Sequence, residues 1–202
     1  MMTHRAWLTL CALLVAGAAR AGHGLLNSFN DIEWLSVPST TPADWYYPAL
    51  LAGEDLALRF TTDREARATR CFAGLRERLA EALAMVKQGD AQATRPALDG
   101  YGARLACLET LARDAHGDEL RVRLAQALLE HRFIISVEYP DLPPDARAPL
   151  ENWMNDTDAR YTALRATLPK STAEAFFFKE EEVRWSWEMA RRAVPDTPPP
   201  DL

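Results

Sequence analysis

Two cysteines and one glycine constrain most strongly what this chain can fold into. Cys71 and Cys107 lie equally far from Gly89, within the run Lys87-Gln88-Gly89-Asp90. A glycine that closes one helix, followed at once by an aspartate that opens the next, signals a tight corner between two helices. In an antiparallel hairpin, residues equidistant from the corner face each other, so the two thiols are expected side by side and bonded. Closing that loop stabilises the fold by about 4 kcal/mol in the chain-entropy description. The alternative is two small buried thiols, set apart by a slip in helix register. A redox-active pair is disfavoured, because the chain has no Cys-x-x-Cys motif.

A disulfide needs an oxidising compartment, and the first 21 residues supply the address. Arg5 is followed by an apolar run from Ala6 to Ala19, and Ala19-Arg20-Ala21 offers a small-x-small cleavage pattern before Gly22. The run is too short to span a bilayer comfortably. Residues 1–21 therefore read as a signal peptide cut near Ala21/Gly22, and the mature protein as soluble and periplasmic or secreted. Cys11 sits inside the apolar run behind Leu10, which is not the setting of a lipoprotein anchor. Cleavage removes two arginines and no acids, taking the formal charge from -6 to -8. That balance argues against nucleic acid and anionic membranes as partners. After cleavage no apolar run approaches the length of a membrane anchor.

The rest of the chain, residues 22–194, reads as one all-α domain: a bundle of five or six helices built on the long hairpin. Leu25, Phe29 and Ile32 suggest a short helix over 25–34. Thr41-Pro42-Ala43-Asp44 reads as the start of a helix running to about Phe60 and burying Trp45, Leu50, Leu51 and Leu58. Thr62-x-x-Glu65 reads as a capping box for the helix that ends near Lys87, with Phe72, Leu75, Leu79, Leu83 and Val86 on one stripe. The return helix carries Leu98, Tyr101, Leu105, Leu108 and Ala112 to about Ala115, and Pro96 predicts a late start or an early bend. A further helix, capped by Asp118, runs to about Glu138, and Pro140–Pro144 breaks it. Asp145 is expected to cap the next, with Pro149 in its first turn and an end at Pro169. Ser171-x-x-Glu174 reads as a second capping box, opening a last helix that ends at about Val194. Four prolines in residues 195–202 predict a disordered tail.

The pattern Trp45-Tyr46-Tyr47-Pro48, Glu54, Leu56, Leu58, Asp63 to Ala66, Leu75-Arg76-Glu77-Arg78-Leu79-Ala80-Glu81-Ala82, Gly89-Asp90 and Tyr101 resembles a bacterial domain-of-unknown-function family (DUF5667) over about residues 40–140. The resemblance implies a secreted or membrane-anchored helical module with a Tyr-Pro opening and a long amphipathic hairpin. It brings no catalytic residues. Leu51 stands where that pattern has lysine, and the paired cysteines are not part of it.

No constellation commits to a reaction, so the chain reads as non-catalytic, with no cofactor and no metal. His23 beside the new N-terminus is a weak copper chelator at best. His116 reads as a helix-end cap, and His131 as a residue at the edge of the core. Asn155-Asp156-Thr157-Asp158 lacks the glycine and distal glutamate of a calcium loop. Glu180, Glu181, Glu182 and Glu188 alternate with Lys179, Arg184, Arg191 and Arg192 as an exposed salt-bridged face.

The last helix is the most informative functional feature. Phe176, Val183, Trp187, Ala190 and Val194 form one apolar stripe, and Phe178, Trp185 and Met189 form another on the opposite side. The second stripe is either covered within the chain, by Leu25, Phe29, Ile32 and Trp34, or meets a protein partner or a second copy of the chain. The leading expectation is an exported accessory or protein-interaction module. The alternative is a periplasmic carrier of a small ligand or metal in a cavity between helices lined by Tyr46, Tyr101 and Trp153.

Overall fold

Residue 29 and residues 32–115 and 117–194 are described by the structure, a computed structural model. The expected leader, His23, Leu25, His116 and the tail from 195 to 202 lie outside the described residues. Among these the protein is all-α, with seven helices: α1 (Tyr47–Phe60), α2 (Arg64–Lys87), α3 (Ala91–Arg113), α4 (Glu119–Glu138), α5 (Ala148–Arg165), α6 (Lys170–Ala175) and α7 (Phe177–Ala193). Short 3-10 turns at Tyr139–Asp141 and Pro144–Ala146 join α4 to α5.

The α2–α3 corner forms as the sequence predicts. Gly89 takes φ 76°, a left-handed conformation open to glycine without a Cβ penalty. Its N–H donates to Val86 O at 2.9 Å, and the Asp90 N–H donates to Met85 O at 2.9 Å, closing the end of α2. Asp90 then turns its carboxylate to the other helix, accepting from Ala93 N at 2.8 Å as the N-cap of α3. One residue thus finishes one helix and starts the next. Pro96 is accommodated inside α3 with neither a late start nor a break. Cys71 and Cys107 are joined as a disulfide with Cα atoms 6.6 Å apart.

The core lies between this hairpin and α4, α5 and α7. Leu75, Leu79, Tyr101, Leu105 and Leu108 of the hairpin meet Leu124, Leu128 and Leu129 of α4 and Trp153 and Met154 of α5. α7 lies along α4, where Ser136 Oγ and Ser186 Oγ share a hydrogen bond of 2.6 Å. The predicted inner stripe is in place: Phe176, Val183 and Ala190 are buried, and Trp187 and Val194 pack partly buried against them. Phe29 is buried and stacks on Phe133, with ring centroids 4.4 Å apart.

Several local expectations fail, each for a visible reason. Residues 32–38 are not helical, so the helix expected over 25–34 does not reach residue 32, while Phe29 lies in a 3-10 turn. α1 begins at Tyr47, because Thr41 N donates to Asp44 at 2.7 Å and folds residues 41–44 into a turn. Trp45 is consequently 91% exposed. The cap of α2 is Asp63, which accepts from Ala66 N at 2.7 Å; Glu65 instead pairs with Arg123 at 2.6 Å. Asp118 and Asp145 make no capping hydrogen bond, and Asp118 pairs with Arg121. Ser171 and Glu174 form no capping box, since Pro169 precedes the helix and Ser171 lies within it. The last predicted helix is two helices, divided where Phe176 turns into the core.

Candidate functional site

Two regions concentrate unusual chemistry: a buried charge network inside the hairpin and an aromatic face outside α7. The network starts from four residues arranged symmetrically about Gly89. Gly74 and Arg78 on α2 face Arg104 and Gly100 on α3. Each glycine leaves room for the arginine stem of the other helix: a Cβ on Gly100 would lie 2.9 Å from Arg78 Cδ, and one on Gly74 3.1 Å from Arg104 Cδ. Both guanidiniums are thereby buried, at 1% and 8% exposure.

A buried guanidinium needs a compensating charge, and α1 delivers it. Glu54 bridges the pair, accepting from Arg78 Nη2 at 3.1 Å and from Arg104 Nη2 at 3.2 Å. Asp55 accepts from Arg104 Nη1 at 2.7 Å. Arg78 Nη1 also donates to the Tyr47 hydroxyl at 2.7 Å and lies 3.0 Å from Glu81 Oε2, while Tyr47 donates to Glu81 at 2.6 Å. Burial, then the hydrogen bond to Glu81, pushes the Tyr47 phenol up. Burial also pushes the Glu81 carboxyl above the usual carboxylate range. With the phenol held neutral, Tyr47 remains a donor and the network stays closed. It anchors α1 to the hairpin. Arg104, Gly74 and Gly100 escaped the sequence reading, although their symmetry about Gly89 matches that of the cysteines and was available to find them.

His131 is buried in the core rather than at its edge. Burial, with the charge of Arg76 adding to it, pushes its pKa down to about 3. It shares a hydrogen bond of 3.1 Å with the Tyr101 hydroxyl. Tyr101 also packs edge-on against Trp153, with centroids 5.2 Å apart. Both rings are buried and fill the space between α3 and α5, whereas Tyr46 lies elsewhere, exposed and 3.4 Å from Thr40 Oγ1. The structure therefore does not bring Tyr46, Tyr101 and Trp153 together. Among the described residues, no group of three or more His, Cys, Asp or Glu side chains could hold a metal ion. Asp156 and Asp158 pair instead with Arg160 at 2.8 Å and Arg132 at 2.6 Å.

The acids of α7 divide between two tasks. Glu181 and Glu188 pair along the helix with Arg184 and Arg192, as expected of an exposed ladder. Glu180 and Glu182 turn inward: Glu180 accepts from Tyr161 and Arg165, and Glu182 from Phe29 N at 3.3 Å. Across the helix, Phe178 and Trp185 are each 64% exposed and Met189 is 43% exposed. Phe177 adds a third exposed ring, edge-on to Phe178 at 5.5 Å. Phe29 and Ile32 pack into the core, and Trp34 is itself exposed, so among the described residues this stripe stays open to solvent. Leu56 and Phe60, one turn apart on α1, are also exposed, and sequence periodicity did not single them out.

No described helix is long and apolar enough to cross a membrane. Residues 39–138, from the segment before α1 to the end of α4, match the family model of a domain of unknown function (DUF5667). Tyr47, Glu54, Arg78 and Glu81 of the network lie within that match. No curated protein and no solved structure matches the chain.

Proposed function

Because residues 39–138 carry a domain of unknown function, we propose a role from the surface of the molecule: this is an exported, non-catalytic module that binds a protein, a second copy of itself included, through the outer face of α7. The carrying observation is the exposure of Phe178, Trp185 and Met189 on one side of a helix whose other side is buried. Aromatic residues and methionine are the types enriched in interface cores, where large rigid side chains bury area at little entropic cost. The network and the disulfide supply rigidity, which lowers the ordering cost of association. Export is supported by Arg5, the apolar run from Ala6 to Ala19, Ala19-Arg20-Ala21, and a disulfide that persists in an oxidising compartment.

The experiment is Trp185→Asp, read by circular dichroism for folding and by native mass spectrometry for assembly. A folded variant that no longer assembles supports the reading. A variant that unfolds, or one that assembles unchanged, removes α7 as the binding face. The denatured mass of the exported protein reports separately whether the chain begins at Gly22.

A further inference from the structure

Three arginines are buried among the described residues, and one is handled differently from the other two. Arg78 and Arg104 are compensated by Glu54, Asp55 and Glu81. Arg147 is 8% exposed, and no carboxylate among the described residues lies within 4.0 Å of it. Its Nη2 donates to Pro140 O at 3.2 Å, and its guanidinium lies 5.3 Å from the centroid of the Tyr139 ring. Its Nε is buried without a hydrogen-bond partner, as is that of Arg78, so the missing carboxylate is what sets Arg147 apart. A guanidinium held so far out of water without an anion is expensive, and proteins rarely keep one without use.

Arg147 lines a cleft of about 870 Å³ between the α4–α5 connection and the last turns of α7. Arg191 and Arg192 border it from α7, and Trp187 and Tyr139 supply flat walls. Ala148, at the start of α5, lines it as well, and that helix has no side-chain cap, so its N-terminal dipole also favours an anion. The two carboxylates in the lining are already engaged: Glu151 accepts from the Tyr139 hydroxyl, and Glu188 lies 3.7 Å from Arg192.

We propose that this cleft is a binding site for a small monocarboxylate with a planar apolar body, its carboxylate on Arg147 and Arg191 and its body against Trp187. The charge of the lining selects a monoanion. Three guanidiniums against two carboxylates leave one net positive charge, and a dianionic phosphate meets Glu151 and Glu188 as like charges. The aromatic walls select a body that buries apolar area. This site is separate from the outer face of α7 and stands whether or not that face binds a protein.

The test is a titration of the full exported protein with benzoate, followed through arginine Nε–H and tryptophan indole resonances, with inorganic phosphate and benzyl alcohol as comparison probes. The expected result is saturable shifting of the Arg147 and Trp187 signals, with a Kd in about the millimolar range for so small a probe. Arg147→Gln weakens binding by about tenfold or more, as loss of a charge-assisted hydrogen bond requires. Arg191→Gln, on an exposed side chain that does not risk the fold, weakens it by a smaller factor. Arg147→Gln also leaves the melting temperature of the empty protein unchanged or raised, where a structural arginine would lower it. Absence of shifts, equal binding of phosphate or benzyl alcohol, or benzoate binding indifferent to both substitutions would overturn the proposal. So would benzoate binding that emerges only when Asp196 and Asp201 are both replaced by Asn, since the chain's own acids would then be the occupant.

Discussion

Gly100 and Gly102 occupy neighbouring positions of α3 and answer to different physics. Replacing glycine by alanine in a helix ordinarily stabilises it by about 0.5–1 kcal/mol, by restricting the unfolded chain. Gly102→Ala meets nothing within 4 Å and is expected to follow that rule. Gly100→Ala places a methyl 2.9 Å from the stem of Arg78, whose head group is pinned by Tyr47, Glu54 and Glu81, so the network must shift. Its expected sign is opposite, a loss of about 1–3 kcal/mol typical of overpacking; urea denaturation of the two variants checks both. His131 makes a second residue-scale prediction. Its pKa is 6.5 in the unfolded chain and about 3 when folded, so between these values the unfolded state binds a proton that the native state refuses. Its contribution to stability is complete above the upper value and is lost as pH falls, at up to about 1.4 kcal/mol per pH unit. His131→Gln should flatten the acid limb of the stability–pH curve relative to the parent, and an unchanged slope would remove His131 as its cause.

Element by element, the sequence was legible wherever a boundary depends on chemistry within a few residues. The Gly89-Asp90 corner, the stripe of α2, the position of Pro149 and the inner stripe of α7 all follow from local patterns, and so does the cysteine pairing, because a tight corner fixes register. Failures occur where a distant partner overrides a local signal. Glu65 matched a capping box but is drawn to Arg123, Ser171 lies inside α6 rather than before it, and Trp45 is left exposed by the turn at Thr41–Asp44. Glu54 is the extreme case. It belongs to no periodic pattern within α1, and its role exists only once Arg78 and Arg104 have been brought together. Since α1 is joined to the hairpin largely through Tyr47, Glu54 and Asp55 with the half-buried Leu50, Leu51 and Leu58, Glu54→Ala is expected to speed amide exchange across residues 47–60 while the hairpin stays protected. Uniform acceleration throughout the chain would show instead that the network supports the whole bundle. Cys71→Ala with Cys107→Ala should cost about 3–4 kcal/mol for a loop of this length, measured by denaturation with and without reductant.

For the whole molecule, the distribution of exposed side chains matters more than the bundle itself. Among the described residues most of the large aromatic and aliphatic side chains fill one core, and those left outside lie on α7, on α1 with the turn before it, at Trp34 and Val37, and at Val137 of α4. If α7 mediates self-association, dilution should lower the melting temperature of the parent, because dissociation is linked to unfolding. In the Trp185→Asp variant the melting temperature should not vary with protein concentration. A parent whose melting temperature is already independent of concentration turns the search to a different protein as the partner.

Asp90 has a consequence for how the length of this chain can change. Because it closes α2 and opens α3 at once, there is no spare residue in the corner. Adding or removing a single residue there would turn one helix by about 100° relative to the other. Cys71 would no longer meet Cys107, and Gly100 would no longer make room for Arg78. The corner therefore works as a ruler for the whole hairpin, and natural variation in length belongs in other connections, such as the one between α3 and α4.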